Sequence, residues 1–234
     1  MQGILFDLDG TLLDIDIGTF LDRYFAALAR TIEPLTDGGD TLQHAMGALT
    51  VATHTMMQPH PGRTNEQVFT EAFLTLTGID IQEHADVFAR FYADEFPLLG
   101  DGYGPAPGAR AAVETALGLG LKVAIATNPI FPREAVRHRI AWADLDDLPV
   151  DAVTTFETMH ACKPLPEYFL QTASLIGVGA QGCMMVGDDA ELDLPAAAVG
   201  MRTYYVGDRV GVSSDHAGDL VALARGLPEF VASW

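Results

Sequence analysis

The chain has 234 residues, of which 49% are hydrophobic, so it is long enough and apolar enough to bury a substantial core. A formal net charge of −19, with only 13 Lys and Arg residues, argues against binding to nucleic acid or to anionic membranes. Two cysteines are too few for a secreted disulfide framework, and the sequence shows no signal peptide and no membrane-spanning segment. We therefore expect a soluble, cytoplasmic protein with reduced thiols.

The first predicted element is a short strand that contains Ile4, Leu5 and Phe6. Three consecutive apolar residues predict burial on both faces, as in the interior of a parallel sheet. The strand ends in two carboxylates, Asp7 and Asp9, which are followed by Gly-Thr. Because ligands bind at the carboxyl edge of open α/β sheets, these two residues are candidate functional groups. The alternative is a simple Asp-Gly turn without a chemical role.

Four helices and no convincing strand are predicted for the next part of the chain, residues 15–99. Thr64 and Gln67 fit a capping box at the start of the third helix. A connection between parallel strands needs only a dozen or so residues, so this long segment predicts a separate helical module above the sheet edge. Apolar residues at helical spacing place the four helices at about 17–32, 41–57, 64–78 and 81–96.

Strands and helices alternate after a Gly- and Pro-rich stretch at residues 100–108. We therefore predict an α/β fold, with a Rossmann-like parallel sheet core at residues 1–14 and 100–234 and an inserted all-helical cap domain at residues 15–99. Predicted strands lie at 121–126, 152–155, 183–186 and 202–206, and predicted helices at 109–119, 131–141, 164–176, 192–199 and 219–225.

Further polar residues are expected near the edge of the sheet that carries the first two carboxylates. The second predicted strand ends in Thr127 and Asn128, and the fourth ends in Asp188, with Asp193 about one helical turn later. Lys163 precedes a proline, and proline favours the first position of a helix, so we expect Lys163 at or near a helix N-cap. The free N–H groups there would suit an anion.

The electrostatics of this cluster predict a bound cation. Two carboxylates about 4 Å apart repel by roughly 4 kcal/mol at an effective dielectric constant of about 20. Oxygen ligands without His or Cys favour Mg²⁺ over Zn²⁺. Together with Lys163 and the Thr127 hydroxyl, such a site can carry out phosphoryl transfer, in which one carboxylate is the nucleophile and a second acid handles the leaving group's proton.

The chain resembles the haloacid dehalogenase-like (HAD) superfamily of hydrolases, in particular the phosphoglycolate phosphatase-like members with a C1-type helical cap. The helical segment after the first strand is similar to that cap. The resemblance spans the predicted core, and four segments in the expected order carry it: Asp7-Leu8-Asp9-Gly10-Thr11, Thr127-Asn128, Lys163-Pro164 and Gly187-Asp188 with Asp193.

The resemblance implies roles for the acidic residues. Asp7 would be the nucleophile and a Mg²⁺ ligand, and Asp188 would bind the same ion. Asp9 would be the general acid/base, with its backbone carbonyl on the metal. Members that act as dehalogenases lack an acid at the position of Asp9, because a halide leaves without a proton, so this residue favours a phosphatase.

The resemblance also implies how the phosphoryl group is held. Thr127 and Lys163 would bind it, with Asn128 as a further candidate, although an Asn-Pro pair is also common in loops. Asp193 would act from behind the metal ligands or orient Lys163. Asp189 departs from the family, which often has Ser or Thr there, and we expect it to face solvent.

We therefore expect a Mg²⁺-dependent phosphatase that hydrolyses a small phosphorylated metabolite through an aspartyl-phosphate, as a monomer or homodimer. Two alternatives stay open. A phosphomutase or phosphotransferase would pass the phosphoryl group to a sugar, and a non-catalytic binding module would retain only the fold.

Overall fold

The computed structural model describes residues 1–234 and contains eight short strands. Six of them form one parallel sheet, and the other two form a separate antiparallel pair. In chain order the strands are β1 (Gly3–Phe6), β2 (Leu13–Asp14), β3 (Gly104–Pro105), β4 (Lys122–Ile125), β5 (Ala152–Val153), β6 (Cys183–Gly187), β7 (Arg202–Val206) and β8 (His216–Gly218).

The chain also contains eight α-helices, and short 3₁₀ turns such as Leu194–Val199 extend the connections. None of these helices combines the length and the apolar character that crossing a lipid bilayer requires. In chain order the helices are α1 (Ile17–Ile32), α2 (Gly39–Met56), α3 (Asn65–Thr77), α4 (Ala85–Arg90), α5 (Ala109–Gly118), α6 (Arg133–Trp142), α7 (Pro166–Leu175) and α8 (Leu220–Ala232).

The strand order β5-β4-β1-β6-β7-β8 places the first strand at the centre of the sheet. From β1 the chain passes to β4 and β5 on one side, and then returns to β6, β7 and β8 on the other side. Such a reversal opens a crevice at the carboxyl ends of the strands beside it. The α/β fold with a parallel sheet is therefore confirmed, and the crevice lies where β1, β4 and β6 end.

Both faces of the sheet are covered, which explains the continuous apolar run of β1. Ile4 and Phe6 pack into one hydrophobic cluster with α5, α6 and α8, whereas Leu5 packs into a second cluster with Tyr168 and Phe169 of α7. All of these side chains are buried. Alternate residues of the strand thus stabilise opposite layers of the molecule.

Residues 15–99, here called the helical insert, contain α1–α4 and contribute no strand to the six-stranded sheet. The chain enters and leaves the insert through the β2–β3 pair, in which Leu13 lies opposite Pro105. Aromatic residues of the insert share the larger hydrophobic cluster with the sheet layer. Phe96 stacks on Trp142 of α6 at a centroid distance of 5.5 Å, and Gly100 leaves the space that this indole occupies.

The start of α3 attaches the helical insert to loops at the sheet edge. Thr64 and Gln67 form the predicted capping box. Asn65, which follows Thr64, is fully buried. Its side-chain amide donates to the Pro129 carbonyl at 3.0 Å, and its backbone N–H donates to the Met159 carbonyl at 2.8 Å. These bonds connect the insert to the segments that follow β4 and β5.

Several predicted elements differ from the structure. The helix predicted at 81–96 was wrong in length: α4 covers only Ala85–Arg90, and a π-helical turn and a 3₁₀ turn follow it up to Gly100. The predicted helix at 192–199 is instead a 3₁₀ turn that starts at Leu194 beside Pro195. The last helix, predicted at 219–225, extends to Ala232, and the three-residue strand β8 was not predicted.

Candidate active site

All of the predicted site residues line one cavity of about 270 Å³ at the crevice of the sheet. Their sequence separations are large, so it is the parallel sheet that brings them together. Ile15, Ile17 and Leu21 of the helical insert contribute to the opposite wall of the cavity. The predicted residues in this cavity are Asp7, Asp9, Thr127, Asn128, Lys163, Asp188 and Asp193.

The turn after β1 holds Asp188 close to Asp7. Gly10 has a φ of +83°, and a Cβ at this position would lie 2.5 Å from the Asp188 carboxylate, so only glycine fits. Thr11 is buried, and its hydroxyl donates to Asp188 Oδ1 at 2.8 Å. Gly10 and Thr11 therefore do more than form a turn, because they also position the Asp188 carboxylate.

Lys163 is the buried cation of the site. Its ammonium donates to Asp7 Oδ1 and to Asp193 Oδ1, both at 2.6 Å, and only 2% of its side chain is exposed. Burial opposes its charged form, but the carboxylates of Asp193 and Asp7 outweigh this effect and raise the pKa of Lys163 above the ordinary lysine value. Lys163 therefore stays charged. Its ammonium contacts Oδ1 of Asp7, and Oδ2 of the same carboxylate has no hydrogen-bond partner from the protein.

Lys163 was expected at or near a helix N-cap, and it lies near one but not at it. Helix α7 begins at Pro166 with Leu165 as its N-cap, because Pro166 rather than Pro164 takes the first helical position. Lys163 lies two residues before the N-cap, after a loop in which its backbone N–H donates to Asn128 Oδ1 at 3.1 Å. Asn128 thus fixes the lysine loop through its carbonyl oxygen.

Asp193 supports Lys163 and is not free to bind an ion. Its Oδ1 accepts from the Lys163 ammonium and its Oδ2 accepts from the backbone N–H of Asp189 at 3.1 Å. Only 1% of the Asp193 side chain is exposed, and the absence of a side chain at Gly187 allows it to approach the end of β6. This arrangement fits one of the two roles that the family resemblance implied for Asp193, the orientation of Lys163.

The donor set fits a divalent cation. One carboxylate oxygen each from Asp7, Asp188 and Asp193 lies within 4.8 Å of the others, and all three groups are negatively charged when ionised. With the single ammonium of Lys163 the cluster keeps a formal charge of −2. Because Asp193 is fully engaged, Asp7 and Asp188 are the carboxylates that would hold the ion, and such oxygen ligands suit Mg²⁺.

Protons should compete with a metal ion in this cluster. Burial raises the pKa of Asp7 well above the ordinary aspartate value, although Lys163 opposes the shift, and burial likewise raises the pKa of Asp188. Since only the ionised carboxylates bind metal, the affinity for Mg²⁺ should fall as the pH falls toward these raised pKa values.

Isothermal titration with Mg²⁺ at about pH 7.5 and about pH 5.5 measures this competition. We expect weaker binding, with more protons released per ion bound, at the lower pH. An Asp188→Asn variant is the control, because the substitution removes one of the two carboxylates concerned. Equal affinity and no proton release at both pH values would contradict this account of the cluster.

Arg139 is the site residue that the sequence analysis missed. It lies on α6, only 1% of its side chain is exposed, and its Nη1 donates to Asp9 Oδ2. Its guanidinium also stacks on the Phe131 ring, 4.5 Å from the centroid. A sequence signal does exist, because Arg139 falls at helical spacing with the buried residues Ala135 and Val136.

Asp9 and Thr127 complete the polar end of the cavity. The Thr127 hydroxyl lies 3.4 Å from Asp9 Oδ2, and the Thr127 carbonyl is held by the hydroxyls of Thr154 and Tyr168 at 2.7 and 2.9 Å. The Asp9 carboxylate therefore faces Arg139 and Thr127 rather than the other acids. Its carboxylate is not part of the cluster formed by Asp7, Asp188 and Asp193.

Comparisons with known proteins agree with this geometry. The chain is 38% identical over 109 residues to Phosphatase MT3486 of Mycobacterium tuberculosis. This match covers about half of each protein, 47% of this chain and 49% of that relative. It is 28% identical over 206 residues to hexitol phosphatase A of Escherichia coli, covering 88% of this chain and 82% of the relative.

Solved structures share the fold across the whole chain. A HAD phosphatase from Thermococcus onnurineus matches with a TM-score of 0.60 at 22% identity, covering 99% of this chain and 98% of that one. The L-2-haloacid dehalogenase from Xanthobacter autotrophicus matches with a TM-score of 0.54 at 18% identity, covering 97% and 98%.

The family profile for haloacid dehalogenase-like hydrolases matches residues 1–200, which include every residue of the cavity described above. The residues of the four motifs that suggested this resemblance lie together at the crevice of the parallel sheet. The chain belongs to the haloacid dehalogenase-like hydrolases and is an enzyme of that hydrolase class.

Proposed function

We propose that this protein is a Mg²⁺-dependent phosphatase that hydrolyses a small phosphorylated metabolite through an aspartyl-phosphate intermediate. The observation that carries the proposal is the pairing of two acids with different surroundings. Asp7 faces Lys163 and the ion-binding carboxylates, whereas Asp9 faces Arg139 and Thr127. These different surroundings support a nucleophile role for Asp7 and an acid/base role for Asp9.

In the first step Asp7 Oδ2 attacks phosphorus, the bond from phosphorus to the leaving oxygen breaks, and Asp9 gives that oxygen a proton. In the second step Asp9 takes a proton from a water molecule that attacks the aspartyl-phosphate, which releases inorganic phosphate and restores Asp7. Lys163 and the Thr127 hydroxyl hold phosphoryl oxygens. Mg²⁺ bound by Asp7 and Asp188 would neutralise part of the phosphoryl charge.

Asp9 separates this proposal from dehalogenase chemistry. A halide ion departs without a proton, so a dehalogenase needs no acid at this position. Here an acid is present, lines the cavity and is held by two donors. The matched dehalogenase structure, at 18% identity, shows only that the fold is shared.

The substrate is proposed to be small and to carry an apolar portion. Beyond the polar end, the 270 Å³ cavity is bounded by six apolar side chains. We further propose that the helical insert is a C1-type cap domain, because α1 supplies part of this wall. The apolar residues are Ile15, Ile17, Leu21, Ile130, Phe131 and Leu192.

The test is hydrolysis by the purified full chain. With p-nitrophenyl phosphate and Mg²⁺ we expect release of inorganic phosphate, its loss in excess EDTA, and recovery when Mg²⁺ is restored in excess. A panel of alkyl, aryl, sugar and hexitol phosphates then identifies the substrate, with hexitol phosphates included because of the E. coli relative.

Other results would favour other functions. Full turnover in EDTA would remove the metal from the proposal. An isomerised sugar phosphate without free phosphate would indicate a mutase, and Mg²⁺ binding with no hydrolysis across the panel would indicate a binding module.

A further inference from the structure

Arg139 is an isolated buried charge whose only carboxylate partner is Asp9. The guanidinium is enclosed by the Phe131 ring and by its own helix, where Nε lies 3.4 Å from the Ala135 carbonyl. Its Nη2 has no hydrogen-bond partner. A buried guanidinium that lost its carboxylate would be left as an uncompensated charge, which is strongly unfavourable. The contact with Nη1 therefore restrains the Asp9 side chain.

This restraint acts on one oxygen of the Asp9 carboxylate. Arg139 Nη1 and the Thr127 hydroxyl both approach Oδ2, whereas Oδ1 is buried and has no partner in the protein. Two donors on the same oxygen limit the rotation of the Asp9 carboxylate and hold it at the polar end of the cavity.

We propose that Arg139 is a positioning residue that holds the Asp9 carboxyl group through Oδ2 at the polar end of the cavity, where Asp9 exchanges a proton with the leaving-group oxygen. This inference rests on the proposed phosphatase function and adds a residue to it. During phosphorylation of Asp7, the proton of the Asp9 carboxyl group passes to the leaving oxygen as its bond to phosphorus breaks, and Asp9 is left ionised beside Arg139. During hydrolysis, the Asp9 carboxylate takes a proton from the attacking water. Arg139 itself gains and loses no proton.

The test compares two aryl phosphates that share one ring. Phenolate, whose conjugate acid has a pKa near that of tyrosine, about 10, needs a proton in order to leave. Nitrophenolate spreads its charge into the nitro group and needs the proton much less. The ratio of kcat/KM for p-nitrophenyl phosphate to that for phenyl phosphate therefore reports proton donation by Asp9.

In Arg139→Met we expect kcat/KM for phenyl phosphate to fall by about 10²-fold, and that for p-nitrophenyl phosphate by less than about 5-fold. Arg139→Lys keeps the charge and should recover part of the phenyl phosphate activity. Arg137→Met is the matched control, because Arg137 lies on the same helix but is exposed and pairs with Glu134. It should leave both rates unchanged.

A crystal structure of Arg139→Met gives a readout that does not depend on turnover: the Asp9 carboxylate should lose its single orientation. Equal losses for both phosphates, a gain in activity, or an unchanged Asp9 orientation would each overturn the role of Arg139. If the wild-type protein hydrolyses neither phosphate, the proposed function fails, and the orientation of Asp9 in the variant still decides whether Arg139 positions it.

Discussion

Replacement of Asp7 by asparagine is expected to lower phosphate release by at least about 10⁴-fold, because the amide cannot form the aspartyl-phosphate. The substitution keeps the size of the side chain and removes a charge that burial already disfavours, as the raised pKa of Asp7 shows. We therefore expect the variant to be at least as stable as the wild type, which separates loss of chemistry from loss of fold.

The measurement is phosphate release from p-nitrophenyl phosphate with Mg²⁺, together with mass spectrometry of acid-quenched enzyme. The wild type should gain the mass of one phosphoryl group at Asp7, and Asp7→Asn should gain none. Asp14→Asn provides the control, since Asp14 is an exposed aspartate just beyond the same turn and does not line the cavity. Substantial turnover by Asp7→Asn would show that another residue is the nucleophile.

Replacement of Lys163 by methionine is expected to abolish turnover and to lower the free energy of unfolding by about 3–5 kcal/mol. The ammonium is the shared partner of Asp7 and Asp193, and both carboxylates are buried. Without it, two negative charges would remain in the interior with no compensating cation. Urea denaturation, monitored by a probe of secondary structure, measures the difference in the free energy of unfolding between the variant and the wild type.

The chain offers its own control, because its other lysine, Lys122, also forms an ion pair. Its ammonium lies 2.6 Å from Asp151, but 56% of the side chain is exposed. Such surface pairs contribute less than about 1 kcal/mol, so Lys122→Met should unfold almost as the wild type does.

A double variant identifies the source of the effect. Lys163→Met with Asp193→Asn removes one of the two unpaired charges and should recover part of the lost stability. If Lys163→Met alone were as stable as Lys122→Met, the buried pairs described above would not be the reason that Lys163 lies in the interior.

The residues at the ends of strands could be predicted from the sequence because their positions follow from local patterns. The apolar run Ile4–Phe6 and the strand before Asp188 predict a parallel sheet, and parallel strands bring their carboxyl ends to one edge. The sequence could not show how each side chain is used there. Lys163 was expected at or near a helix N-cap, but the second proline, Pro166, takes the first position of α7 and leaves the lysine in the loop two residues before the N-cap.

For Arg139, helical spacing could indicate burial but not the residue that it contacts. Its helix was predicted, but its partner Asp9 is 130 positions away in sequence, and the sequence contains other arginines that are exposed on the surface. Pairings over such distances depend on tertiary packing. Strand β8 could not be predicted for another reason, because its three residues are too few to show an alternating pattern.

The aromatic packing between the helical insert and the segment just before α6 limits which substitutions the protein can tolerate. Phe20 and Tyr24 of α1 pack against Phe131. If the insert unfolded alone, these buried rings would become exposed. We therefore expect the insert and the sheet to fold as one cooperative unit. On the same helix, Ile17 and Leu21 line the cavity instead. Changes of substrate range can therefore arise at Ile17 and Leu21, whereas substitutions at their aromatic neighbours would destabilise the whole enzyme.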